Sequence, residues 1–154
     1  MTTFDDKVCV ITGGARGIGF GLTGKALELG MNVVISDIDE EALTSAATKL
    51  KANGIAPRRF ITVQTDVAQF SDLERLLART LGSFGKANYL FNNAGVQGRH
   101  VNLLDSSVAD WEWVIDVNLR GVLHGIKAFV PQMLAQGDEC RVINTSSIMV
   151  SHKI

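Results

Sequence analysis

Short uninterrupted apolar runs alternate along this chain with longer stretches in which apolar residues return every three or four positions. The first pattern is that of strands buried on both faces, the second that of amphipathic helices, and their alternation predicts a parallel sheet covered on each side by helices. Lys7-Val8-Cys9-Val10-Ile11 makes the first strand, closed by glycines. Ile18, Leu22, Ala26 and Leu29 then mark the apolar face of a helix, with Gly30 as its left-handed stop. Asn32-Val33-Val34-Ile35-Ser36 is the second strand, and Leu43, Ala46, Ala47 and Leu50 form the stripe of a second helix ending near Asn53-Gly54. Phe60-Ile61-Thr62-Val63 is the third strand. Ser71-Asp72-Leu73-Glu74 reads as a capping box opening a helix that carries Leu76, Leu77 and Leu81. After a fourth strand, Tyr89-Leu90-Phe91, comes a long helix with Trp111, Val114, Ile115, Val122, Ile126 and Phe129, which Pro131 should kink or end. Arg141-Val142-Ile143-Asn144 is the fifth strand. The class is α/β, with residues 1–154 as one domain and no internal repeat or linker.

Between the first strand and the first helix lies Thr12-Gly13-Gly14-Ala15-Arg16-Gly17-Ile18-Gly19. Ligands of open α/β sheets bind at the carboxyl ends of the strands, so this turn is where a dinucleotide belongs. Gly13 turns the chain, Gly17 leaves room for backbone to approach a pyrophosphate, and Gly19 lets the helix pack close on the strand. The free N–H groups and positive dipole end of the helix face the phosphates. Asp37 closes the second strand about 20 residues on, where a carboxylate accepts hydrogen bonds from the adenosine ribose hydroxyls and repels a 2′-phosphate. NAD is therefore favoured over NADP. The competing reading of Asp37 is a turn aspartate ahead of Asp39-Glu40.

Composition narrows the remaining choices. The 154 residues are 46% apolar and 20% charged with a net charge of −1, and the basic residues are scattered, which leaves no electrostatic footprint for a nucleic acid. No run approaches the ~20 apolar residues of a membrane helix, and Met1 to Asp6 lacks the regions of a signal peptide. A cytoplasmic protein is expected. Cys9 and Cys140 sit in or beside apolar strands as small buried hydrophobes, and His100 and His124 lack partners at metal-ligand spacing, so no metal site is expected. Trp111 and Trp113 read as packing anchors and Tyr89 as a core residue.

The glycine spacing, Gly-x-x-x-Gly-x-Gly, is followed by Asp66-Val67 after the third strand and Asn92-Asn93-Ala94-Gly95 after the fourth. Asn118 in the long helix and Asn144-Thr145-Ser146-Ser147 after the fifth strand complete the pattern. In these segments the chain resembles a classical short-chain dehydrogenase/reductase from Asp6 to about Ser147. The resemblance implies a Rossmann-like doubly wound sheet of order 3-2-1-4-5, with the last strands of the family fold absent from this chain. It implies an NAD(P)-dependent oxidoreductase moving hydride between nicotinamide and a small alcohol or ketone, as a homo-oligomer, dimer or tetramer. Gly13, Arg16, Gly17, Ile18, Gly19, Asp37, Asp66, Val67, Asn93, Ala94 and Gly95 become cofactor contacts. Asp66 and Val67 are placed at the adenine ring, the alternative for Asp66 being a helix cap. Arg16 occupies a place where similar enzymes using NADP often carry a basic residue; its alternative is a solvated loop residue.

Asn118 is unfavourable in mid-helix, so its amide is expected to have a specific partner; in similar enzymes it holds a water in a proton relay. Ser147 is the catalytic serine by resemblance, its hydroxyl meeting a substrate carbonyl, with Ser146 as the alternative. A hydrolase reading fails because Ser147 is not in a Gly-x-Ser-x-Gly elbow. Similar enzymes also carry a Tyr-x-x-x-Lys on the next helix, tyrosine serving as acid or base and lysine lowering its pKa. Only Ile148 to Ile154 follow Ser147, and His152 and Lys153 read as solvated tail residues. The chain is thus expected to be C-terminally incomplete, inactive by itself, and to leave the fifth strand as an open edge prone to aggregation. A nucleotide-binding module without turnover and a subunit-interaction fragment using the Trp111 to Met133 helix stay open as alternatives.

Overall fold

The computed structural model describes residues 4–98 and 103–147. His100, His152 and Lys153 lie outside the described residues, as do 1–3, 99–102 and 148–154 as a whole. Five strands form one parallel sheet: β1 Val8–Thr12, β2 Asn32–Asp37, β3 Phe60–Gln64, β4 Tyr89–Asn92 and β5 Arg141–Asn144. Their order is β3-β2-β1-β4-β5, as the resemblance implied. The helices are α1 Gly17–Glu28, α2 Glu40–Ala52, α3 Phe70–Phe84, α4 Val108–Ile115 and α5 Gly121–Ala135. A π-helical turn, Asp116–Arg120, joins α4 to α5.

Strand alternation divides the core into two layers. Val8, Val10, Val34 and Leu90 point to one face and pack with Leu73, Leu76, Ala128, Phe129 and Met133 of α3 and α5. Cys9, Ile11, Val33 and Ile35 point to the other and pack with Ala26, Leu27, Leu43, Ala46 and Leu50 of α1 and α2. Every residue of β1 is buried, as a central parallel strand requires. Burial pushes the Cys9 thiol up to about 12.

Several local expectations are corrected. The buried face of α1 is Gly19, Thr23, Ala26 and Leu27, while Ile18 is 73% and Leu29 41% exposed. A Cβ on Gly19 would strike the Gly13 carbonyl, so the helix presents its smallest residues to the loop and rotates Ile18 outward. The cap of α3 is Gln69, not Ser71, which lies inside the first turn. Its neighbour Asp72 is turned back to accept the Asp66 N–H at 2.9 Å. The capping box occurs instead at α4, where the Ser107 hydroxyl accepts the Asp110 N–H and the Asp110 carboxylate accepts the Ser107 N–H. Pro131 does not end α5, which continues to Ala135. Trp111 and Trp113 are each 48% exposed, and Tyr89 is half-buried at the start of β4 against Phe4. Among the described residues β5 is a sheet edge, and its Val142 and Ile143 line an apolar groove with Leu22, Tyr89 and Phe91.

Candidate functional site

The carboxyl ends of β1, β2 and β4 open onto a cavity of about 760 Å³. Gly13, Arg16, Gly17, Ile18, Gly19, Asp37, Asp66, Val67, Asn93, Ala94 and Gly95 all line it. The sequence separates these eleven residues over four segments, and the parallel topology brings the four turns to the same end of the sheet.

The glycine turn is built by contacts that leave no room for side chains. Gly13 has φ +61°, and a Cβ there would lie 2.9 Å from the Ala94 Cα. Gly17 has φ +50° with open space where a Cβ would stand, so its exposed backbone is free to meet a ligand. The N-cap of α1 is Arg16, with no side-chain hydrogen bond to the helix, and the first N–H groups of α1 therefore have no side-chain acceptor. This cradle fits a pyrophosphate.

Asp37 is held from two sides. Its Oδ2 accepts the Ala15 N–H and its Oδ1 the Asp39 N–H, each at 3.2 Å. It thus serves the turn and lines the cavity together. Arg16 is not simply solvated: its guanidinium pairs with the Asp39 Oδ2 at 2.6 Å. Asp39 also caps α2, its Oδ1 accepting the Ala42 N–H at 2.9 Å. That backbone donor, with the Arg16 guanidinium adding to it, holds the Asp39 carboxyl below the usual carboxylate range.

The Asp66-Val67 loop is fixed from both neighbours. Asp66 makes a local turn, accepting the Ala68 N–H at 2.9 Å, three residues ahead of the α3 cap, so its alternative as that cap is excluded. Hydrogen bonding from Arg75 is the main reason the Asp72 carboxyl, which receives the Asp66 N–H, titrates below its ordinary range. On the other side the His124 Nδ1 lies 2.9 Å from the Val67 carbonyl, so this nitrogen carries the proton and donates. Gly121 packs against the Val67 side chain.

The Asn-Asn-Ala-Gly run ties strand ends together. Asn92 donates from Nδ2 to the Asn144 Oδ1 at 2.9 Å, joining β4 to β5. Asn93 donates from Nδ2 to the carbonyls of Thr12 and Gly13, joining β4 to the glycine turn. Asn118 sits in the π-turn, where its Oδ1 accepts the Val96 N–H and its Nδ2 donates to the Val96 carbonyl, both at 2.8 Å. That is the specific partner its helical position called for.

Ser146 and Ser147 are exposed beyond β5, and neither lines the cavity; Thr145 represents that segment. Tyr89, the one tyrosine, opens β4 at the opposite end of the sheet and borders the apolar groove. The lining residues missed from sequence are Ala109, Glu112, Trp113, Asp116 and Val117 of α4 and the π-turn, together with Ile38, Thr65, Ala68, Gln69, Val96 and Thr145. Ala109, Glu112, Trp113 and Asp116 stand at i, i+3, i+4 and i+7, but two of them are carboxylates, so no apolar stripe marks this helix face, which turns to the cavity. Among the described residues no cluster of His, Cys, Asp and Glu could hold a metal, and no helix is long and apolar enough to cross a membrane.

The short chain dehydrogenase family model matches residues 7–153. The chain is 31% identical to the C alpha-dehydrogenase of Sphingobium sp. and to the 3beta-hydroxysteroid dehydrogenase 2 of Eggerthella lenta, covering 96% and 92% of this chain but 48% and 54% of theirs. A short chain dehydrogenase/reductase of Burkholderia phymatum, solved in complex with NAD, superimposes with a TM-score of 0.89 at 43% identity, over 96% of this chain and 51% of that one. An NAD+-bound xylitol dehydrogenase gives a TM-score of 0.86 at 30% identity, over 95% and 55%. The chain spans about half the length of the relatives it matches. With its glycine turn, its strand order and this match over nearly its whole length, the chain belongs to the short-chain dehydrogenase family.

Proposed function

We propose that residues 1–154 form the dinucleotide-binding part of an NAD-dependent oxidoreductase that acts on a small alcohol or ketone. The observation carrying this reading is the convergence of eleven residues from four segments on one cavity at the carboxyl ends of the strands. When bound, nicotinamide supplies the hydride acceptor or donor. In this reading the α1 N-terminus receives the pyrophosphate, Asp37 the ribose hydroxyls, and Asp66 with Val67 the adenine. Ala94 and Gly95 leave space along the cofactor, and Asn118 fixes the Val96 backbone beside it. Ser147 remains the candidate for the substrate carbonyl in the complete enzyme, a cytoplasmic homo-oligomer with no nucleic-acid partner. By itself the 154-residue chain binds cofactor without turnover, because Tyr89 stands at the wrong end of the sheet to exchange a proton there.

Calorimetric titration of the chain with NAD and with NADP tests the reading. NAD should bind at least about tenfold more tightly, the discrimination expected when a carboxylate faces a phosphate, and Asp37→Ala should erase most of the difference. Absence of nucleotide binding, or equal affinities in the unsubstituted chain, would overturn it.

A further inference from the structure

The cavity has an uneven charge. Among the described residues lining it, Arg16 is the single cation, against Asp37, Asp66, Glu112 and Asp116. That cation is engaged by an ion pair at the cavity's rim. Its guanidinium pairs with Asp39, which is not among the lining residues and which is itself anchored as the α2 cap. Exposed ion pairs are usually weak because two long side chains must be ordered to make them. Here one partner is short and already fixed by the Ala42 N–H, so the ordering cost falls on Arg16 alone. The first turn of α2 adds Glu40 and Glu41 near the same end, favouring a guanidinium that stays on that side.

We propose that Asp39 is a cofactor-selectivity residue, which acts by drawing the Arg16 guanidinium away from the adenosine ribose and so leaves Asp37 unneutralised toward a 2′-phosphate. The proposal rests on the dinucleotide reading and deepens it. Asp37 repels a phosphate only while no cation stands beside it. Released from Asp39, the guanidinium has two destinations in reach of the turn: the Asp37 carboxylate, which it would neutralise, or the 2′-phosphate, to which its planar fork donates two hydrogen bonds. Either destination favours NADP. Asp39 is a positioning residue, since it exerts this effect through Arg16 and not by touching the cofactor.

The test is a double-mutant cycle read by calorimetric affinities for NAD and NADP, with helical content followed by circular dichroism. Asp39→Asn keeps the α2 cap, because an asparagine oxygen accepts the Ala42 N–H as well as aspartate does, but it removes the charge that holds Arg16. It should tighten NADP about tenfold, the worth of one charge-assisted contact, and leave NAD within about twofold. Arg16→Ala alone sets the reference affinities against which the double variant is read. In the double variant the gain toward NADP should vanish. If Asp39→Asn folds normally and NADP does not tighten, the proposal is wrong. A gain that survives in the double variant also overturns it, since bare removal of a negative charge would then suffice. Failure of the unsubstituted chain to bind NAD is a separate result and sinks the dinucleotide reading itself.

Discussion

Thr12 and Asn93, 81 positions apart in sequence, are joined by two hydrogen bonds: the Asn93 N–H donates to the Thr12 Oγ1 and its Nδ2 to the Thr12 carbonyl, both at 3.0 Å. The Thr12 hydroxyl also accepts the Ala94 N–H at 3.1 Å and donates to the Phe91 carbonyl at 3.2 Å. One buried hydroxyl thus fixes the end of β1 against the loop after β4, across the middle of the cavity. Thr12→Val keeps the shape and removes the acceptor for two N–H groups. It should lower stability by about 2–3 kcal/mol and weaken NAD binding; an unchanged urea midpoint would show that the hydroxyl is dispensable.

Gly19→Ala and Gly21→Ala, two positions apart on α1, should act in opposite directions. At Gly19 the new methyl meets the Gly13 carbonyl, and the resulting shift of the turn should cost about 1–3 kcal/mol and loosen nucleotide binding. At Gly21 it meets nothing within 4 Å, and a helix interior gains about 0.5–1 kcal/mol from losing a glycine. Thermal melts of the two variants compare the signs directly, and destabilisation of both would mean that α1 packs differently from the arrangement described.

At the other end of the sheet, Asp138 accepts from Lys7 at 2.9 Å and from the Asn88 Nδ2 at 2.9 Å. These donors, Lys7 first, hold its carboxyl down at about 2 from an ordinary 3.8. A carboxyl depressed in the folded state contributes stability that is complete above its unfolded pKa and lost as pH falls toward its folded one. Urea midpoints should therefore decline between about pH 4 and pH 2, and Asp138→Asn should flatten that decline. Parallel pH profiles for the two proteins would remove Asp138 from the account.

Cys9 is fully buried in β1 and its thiol is pushed up to about 12, whereas Cys140 is half-buried with a thiol raised by the same cause. Only the thiolate reacts with iodoacetamide. Intact-mass analysis at pH 8 should show slow single labelling of the native chain, at Cys140, and a second adduct only after unfolding. Native labelling of Cys9 would mean that β1 opens locally.

Much of this architecture is legible in the sequence, and the residues show why. Val8, Val10, Val33 and Ile35 form apolar runs that only a doubly covered strand explains, so class and element sequence followed from pattern. The glycine turn and Asn93 were legible because each needs a particular residue for a backbone or amide reason. What escaped was set by tertiary contact. The face of α1 depends on Gly19 meeting the Gly13 carbonyl, the start of α3 depends on Asp72 turning back to Asp66, and Trp113 faces a cavity that exists only once four turns have assembled. The Arg16–Asp39 pair joins two turns 23 positions apart, and no local rule connects them.

The place of β1 at the middle of the sheet has a consequence in time. Its Cys9, Val10 and Ile11 are matched on one side by Val33, Val34 and Ile35, but on the other by Tyr89, Leu90 and Phe91. The Val8 N–H finds its acceptor, the Asn88 Oδ1, 80 residues downstream. As the chain leaves the ribosome, β1 is made well before β4, so one of its edges must wait for a stretch synthesised some 80 residues later. At about 5–20 residues per second that interval lasts several seconds, long compared with collapse of a short chain. Through that window the unpaired edge of β1 is open to chaperone capture or to pairing with another chain, hazards that the finished sheet no longer carries at this strand.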